Sequence, residues 1–285
     1  MELSAKSARL ILGDENTTSN CTWSSRPGFC FYMEICGVIM GNNVNSKENI
    51  STRSVHSGDR RKKAYNSLIE PIVQTATYTF GDTNELRSFM DNTLLGIADD
   101  RIEYGRNGNP TVRAAERRIA SLENASDCVL FNSGMAAITT AFLAFLGAGK
   151  HVILTRDSYR RSHQFCLSIL RRFGVTCTIV PADDYKALEE AITPDTKVIF
   201  SETPTNPYLR CVNLEYFVDI AKRNDVLSII DSTFATPFNL QPLEYGVDLV
   251  IHSGSKYLGG HNDILAGAIC GQEYLTGVVR QLLGI

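Results

Sequence analysis

VLSIID, residues 226–231, and DLVIHS, residues 248–253, are short apolar runs that end in polar or small side chains. A strand with one wet face alternates apolar and polar residues, whereas a nearly continuous run suits a strand covered on both faces. Runs of the same kind recur as CVLF (128–131), HVILT (151–155), VTCTIV (175–180) and KVIFSE (197–202). Helical spacings lie between them, near 184–192 and 213–224, and GMAAITTAFLAFL (134–146) is apolar almost all round, as in a helix packed inside. After HVILT, the spacing predicts a helix with Phe165, Ile169, Leu170 and Phe173 on one face, stopping at Gly174. Thr111 is expected to cap an earlier helix that turns Val112, Ala115, Ile119 and Leu122 to one side. Strands and helices in alternation predict an α/β fold, three-layered α/β/α, around a mostly parallel sheet.

Bulk properties narrow the function classes. The chain has 285 residues, enough to bury a full core, with 44 % hydrophobic and 21 % charged residues. A formal charge of −3 leaves no basic footprint for nucleic acid, and the cluster Arg60, Arg61, Lys62 and Lys63 reads as a solvated turn. No apolar stretch approaches the roughly 20 residues that cross a bilayer. The eight cysteines form no C-x-x-C pair and several sit inside apolar runs, which gives no zinc spacing and favours a reducing compartment, the cytoplasm. Residues 1–48 are rich in Ser, Asn and Thr without a helical or strand period. They are expected to be a disordered or targeting extension, and in the second case the location would be a plastid.

In sheets of this kind ligands bind beyond the carboxyl ends of the strands. Here those ends carry Asn132-Ser133-Gly134-Met135, Asp157-Ser158-Tyr159, Glu202 through Pro207, Asp231-Ser232-Thr233 and Ser253-Gly254-Ser255-Lys256. An aspartate at a strand end is often a turn-former, and a lysine there can simply reach for water. A reactive amine and a carboxylate on neighbouring strand ends nevertheless suit pyridoxal 5′-phosphate. That cofactor needs a lysine for its Schiff base and an acid to keep its ring nitrogen protonated. It also needs a phosphate cradle, and Ser133-Gly134-Met135 opens a long helix whose first N–H groups attract an anion. Ser253 and Ser255 put hydroxyls close to Lys256, and Tyr159 is placed to stack on a ring.

EYGRNGNPT (103–111), SGMAA (133–137), ETPTNP (202–207), DSTFATP (231–237) and HSGSKYLGGHND (252–263) stand in that order. With them the sequence resembles the Cys/Met-metabolism family of pyridoxal phosphate enzymes over roughly residues 51–285, and it looks most similar to the plant type of γ-synthase within that family. The resemblance implies the fold-type I, aspartate aminotransferase-like large domain over 111–285. Residues 49–110 would form an arm reaching a neighbouring subunit. Lys256 would carry the Schiff base and Asp231 would pair with the pyridine nitrogen, supported by Thr233. Ser133, Gly134, Met135, Ser253 and Ser255 would hold the phosphate, Tyr159 would stack on the ring, and Asn206 would contact the cofactor's phenolic oxygen or the substrate carboxylate. Tyr104 and Arg106 would reach the phosphate of a neighbouring subunit, which implies a homodimer or homotetramer with shared sites. The implied reaction is γ-replacement on an activated homoserine ester by cysteine, giving cystathionine on the way to methionine, with small amino acids as substrates. A C–S lyase and a non-catalytic cofactor-binding fragment remain as alternatives.

Two departures stand out. Most relatives have two glycines after the stacking tyrosine, where this chain has Arg160, Arg161 and then Ser162. Such cations favour anionic substrates, unless they only start an exposed helix. Members of the family also continue past the lysine motif into a smaller C-terminal domain that supplies an arginine for the substrate's α-carboxylate. That domain is expected to be absent from residues 1–285.

Overall fold

In the computed structural model, which describes residues 49–94 and 101–284, each of the six apolar runs contains a strand. They are β1 (Asp127–Phe131), β2 (His151–Thr155), β3 (Thr176–Val180), β4 (Thr196–Glu202), β5 (Leu227–Asp231) and β6 (Leu249–His252). A seventh, β7 (Gly267–Gly271), was not legible as a run. The sheet order is β1-β7-β6-β5-β4-β2-β3. Strands β2 to β6 pair in parallel, and β7 is antiparallel to both β6 and β1. Two reversals cancel, so β1 runs in the same direction as β6. Its carboxyl end therefore lies at the same rim as Asp231 and His252. The expected extension, residues 1–48, lies outside the described residues.

Helices cover both faces. They are α1 (Ile50–His56), α2 (Thr83–Leu94), α3 (Pro110–Leu122), α4 (Gly134–Phe145), α5 (Arg160–Gln164), α6 (Tyr185–Glu190), α7 (Leu214–Arg223), α8 (Thr236–Asn239) and α9 (Glu273–Gly284). Neighbouring residues of a strand point to opposite faces, and the core divides accordingly. Val152, Leu154, Val198, Phe200, Ile229 and Ile251 join Ile138, Phe142 and Val279 on one side. Ile153, Ile199, Ile230 and Val250 join Phe217, Val218 and Ile220 on the other. Each large aliphatic side chain fully buried this way is worth about 1.5–3 kcal/mol. Both layers of the sandwich thus draw on the same strands.

Three local expectations need correcting. The cap of α3 is Asn109, whose side chain accepts from the N–H groups of Thr111 and Val112, with Pro110 at the first helical position. Thr111 instead accepts from Val73 N–H (2.9 Å) and donates to Pro71 O (3.2 Å), which fastens the preceding segment to the helix. Val112 and Ala115 are exposed, and α3 buries Glu116, Ala120 and Leu122. Buried Glu116 is held by Arg113, by Arg280 of α9 and by the N–H of Leu130. That network, rather than an apolar stripe, decides which face turns in. The third correction follows β2: α5 passes into a π turn at Phe165–Ile169 and a 3-10 turn at Leu170–Phe173 before Gly174 ends it at φ 77°. The change of period rotates Ile169 and Phe173 out to solvent, while Cys166 and Leu170 stay buried.

Candidate active site

Asp231 closes β5 and is almost completely buried. Its Oδ1 accepts from the N–H of Thr233 (2.9 Å) and from the Thr233 hydroxyl (2.5 Å). The same hydroxyl oxygen accepts the N–H of Ser253 at 2.8 Å. One short threonine therefore ties the acid on β5 to the residue that follows β6. Oδ2 of Asp231 has no hydrogen-bond partner among the described residues and is available to a ring N–H. Burial pushes the Asp231 carboxyl above its ordinary range, while the Thr233 hydrogen bonds and nearby His252 pull it back.

Ser253 also meets the helix start. A Cβ placed on Gly134 would lie 2.7 Å from the Cβ and 2.9 Å from the hydroxyl of Ser253. Only glycine lets α4 begin that close. Ser133 caps α4 by accepting from Ala136 N–H at 3.1 Å, so its hydroxyl proton remains free to donate. Met135, half-buried, occupies the first turn beside it. Gly267 backs the arrangement, since a Cβ there would fall 2.1 Å from the carbonyl oxygen of Ser133. A helix N-terminus, two serine hydroxyls and bare backbone make an anion cradle of the kind a phosphate requires. The donor set fits pyridoxal phosphate: a cradle, an acid held on one oxygen, and an amine close by.

Lys256 sits in the turn that follows β6. It is exposed and its amine has no partner among the described residues, so burial of a free ammonium does not arise. Ser255 is occupied locally: its hydroxyl accepts Ala266 N–H (2.9 Å) and faces Ala266 O (3.3 Å), which braces the lysine turn. Tyr159, half-exposed, starts α5, and its N–H donates to Glu202 Oε1. Asn206 is exposed, and its backbone N–H also reaches Glu202. Arg160 and Arg161 are exposed beside Tyr159, whereas Ser162 is fully buried.

Glu202 was legible as part of ETPTNP but not as a member of a carboxylate pair. It ends β4 directly opposite Asp231 in the strand register. Burial and the adjacent Asp231 raise its carboxyl to about 8, against the pull of the Tyr159 and Asn206 N–H groups. Tyr104 and Arg106 stand elsewhere. Tyr104 bridges to Thr77, the Arg106 guanidinium lies 5.2 Å from the Tyr104 ring centroid, and Arg106 Nε donates to Gly284 O (3.1 Å). Both line an open cleft of about 540 Å³ together with residues 73–76.

Residues 51–282 match the family described as Cys/Met metabolism PLP-dependent enzyme. The chloroplastic cystathionine gamma-synthase 1 of Arabidopsis thaliana is 40 % identical over 232 residues, covering 80 % of this chain and 40 % of the plant protein. Cystathionine gamma-lyase of Bacillus subtilis is 38 % identical over 218 residues, covering 76 % of this chain and 54 % of the bacterial one. The crystal structure of cystathionine gamma-lyase from Lactobacillus plantarum, complexed with L-serine, superposes with a TM-score of 0.74 at 35 % identity, over 84 % of this chain and 60 % of that one. The chain thus spans about two fifths to three fifths of the length of these relatives.

Proposed function

This chain belongs to the Cys/Met metabolism PLP-dependent enzymes, and from that premise we propose that it serves γ-replacement, joining cysteine to an activated homoserine ester to give cystathionine. The observation that carries the cofactor assignment to these residues is the junction at Ser253, where Gly134 of the cradle and Thr233 of the acid meet. Ser133, Gly134, Met135 and Ser253 would hold the phosphate, Asp231 would face the ring nitrogen, Tyr159 would cover the ring and Lys256 would carry the covalent link. Asn206 and Thr233 complete that set, with Ser255 bracing the lysine turn.

Pyridoxal phosphate supplies an electron sink for a substrate carbanion when it is bound. Lys256 then has two tasks: it holds the cofactor until substrate arrives, and its freed amine moves the protons at Cα and Cβ. Asp231, fixed on one oxygen by Thr233, keeps the other for a positively charged ring. Arg160 and Arg161, exposed beside Tyr159, favour an anionic ester at Cγ. The ester leaves as its acid anion and the cysteine thiolate forms the Cγ–S bond. Among the described residues Tyr104 bridges to Thr77 and Arg106 bonds to Gly284 rather than to the strand-end rim, which suits the reading that they serve a second copy in a homodimer or homotetramer.

The similarity to the plant synthase favours the synthase reading and a place in methionine biosynthesis. The chloroplastic relative makes a plastid the alternative to the cytoplasm. Similarity to the Bacillus lyase supports C–S cleavage as the second reading. Addition of pyridoxal phosphate to the protein should produce a visible absorption band that Lys256→Ala abolishes. Wild-type protein without such a band would refute the assignment of these residues. Incubation with an activated homoserine ester and cysteine should then release cystathionine, and release of keto acid alone would establish the lyase instead.

A further inference from the structure

Tyr159 would cover the cofactor ring, yet among the described residues its half-exposed side chain makes no hydrogen bond or ring contact. Its direction is therefore set by the backbone that carries it. That backbone is pinned to the sheet from two sides. Ser158, the preceding residue, is buried, and its hydroxyl lies 2.9 Å from that of Thr155, which in turn lies 2.8 Å from the hydroxyl of Ser201. Thr155 shares a face with Ile153 and Ser201 with Ile199, the side covered by α7. On the opposite face the Tyr159 N–H donates to Glu202 Oε1, 43 positions further along the chain. The carbonyl of Tyr159 is tied only locally, accepting from the N–H groups of Ser162 (2.9 Å) and His163 (3.4 Å).

The strand register says where Glu202 points. Glu202 stands opposite Asp231, and two residues earlier Phe200 stands opposite Ile229. Residues two apart on a strand share a face. Phe200 and Ile229 both pack with Phe142 of α4, so the two carboxyls are directed to the face on which Ser133 and Gly134 open the cradle. Glu202 thus lies between the main chain of the tyrosine turn and the acid that would face the ring nitrogen. Its carboxyl, raised to about 8 by burial and by Asp231, keeps its proton at neutral pH. Oε1 then accepts as the carbonyl oxygen of an acid, much as a glutamine would.

We propose that Glu202 is the positioning residue for Tyr159: by accepting the Tyr159 N–H at the strand end beside Asp231, it sets the tyrosine over the same ring whose nitrogen Asp231 faces. This rests on Tyr159 covering the cofactor ring, and two measurements keep the two ideas apart. In protein without cofactor, hydrogen exchange at the Tyr159 amide should quicken about tenfold or more in Glu202→Met, which is close in length but offers no oxygen, and stay near wild type in Glu202→Gln. Equal rates in wild type and Glu202→Met would overturn the proposal. So would a wild-type amide that already exchanges like an unstructured peptide, a result that needs no folded variant. In protein loaded with pyridoxal phosphate, Glu202→Met should weaken cofactor binding about tenfold and reduce the visible ellipticity of the bound cofactor, with Glu202→Gln keeping most of both. The same substitution in a Tyr159→Ala background should change binding by less than about twofold, because the residue it acts through is gone. A purely structural Glu202 would cost the same factor in both backgrounds, and that outcome would sink the proposal. Wild type that binds no cofactor refutes the cofactor roles of Tyr159 and Asp231, while the amide exchange still judges whether Glu202 holds the turn.

Discussion

Glu202 and Asp231 end neighbouring strands with their side chains at the same buried rim, and two carboxylates so placed cannot both ionise cheaply. The strain has a sign. A carboxyl raised to about 8 in the folded chain keeps its proton where the unfolded chain has lost it. Between the unfolded value near 4.5 and about 8 the folded state binds more protons, so stability should fall as pH rises through that window. Each unit of difference is worth about 1.4 kcal/mol. Denaturant melts of the cofactor-free protein from pH 5 to 8.5 should show the decline, and Glu202→Gln should flatten it. A profile equally steep in the variant would locate the cause elsewhere. Sequence made the acid, the amine and the glycine at the helix start legible, because each follows a strand end. It left Glu202 silent as a site residue, since its meaning comes from a partner 29 positions away in the chain, brought beside it by the sheet.

Six strands were legible because an apolar run between polar ends has few other uses. β7 was not, since GAICG is five residues long, two of them glycine, and gives neither alternation nor a β-branched run. Its direction was equally hidden, because antiparallel pairing depends on the path of residues 253–266 around the lysine turn. The glycines of this region have opposite duties. Gly267 must lack a Cβ for β7 to pass the carbonyl of Ser133, so Gly267→Ala should cost on the order of 3 kcal/mol and loosen the cradle. Gly277, inside α9, has nothing within 4 Å of a built Cβ, and there alanine should stabilise by about 1 kcal/mol through helix propensity. Thermal melts of the two variants should move in opposite directions, and a shift of the same sign in both would contradict the steric account.

At the scale of the whole chain, β7 and α9 are what couple α3 and β1 to the parallel sheet. β7 fills the place between β1 and β6. Arg280 of α9 bonds to buried Glu116, to Asp127 and to the carbonyl of Cys128. Deleting residues 267–284 should leave two unpaired apolar strand edges and a buried carboxylate short of a partner, a loss of about 3–5 kcal/mol for the ion pair alone. Such a chain is expected in the insoluble fraction on expression. Recovery of soluble protein with native circular dichroism would show that the remaining strands close on one another instead.

The seat of β7 also sets a timetable. During translation β1 emerges long before β7, the strand it pairs with, which begins only at Gly267. At about 5–20 residues per second the interval is on the order of ten seconds. Through that wait CVLF has no lawful neighbour, and helix α4 has no glycine-backed carbonyl to lean on. The period when the nascent chain most needs a chaperone is therefore written into the strand order, and it ends only when Gly267–Gly271 slides between its two partners.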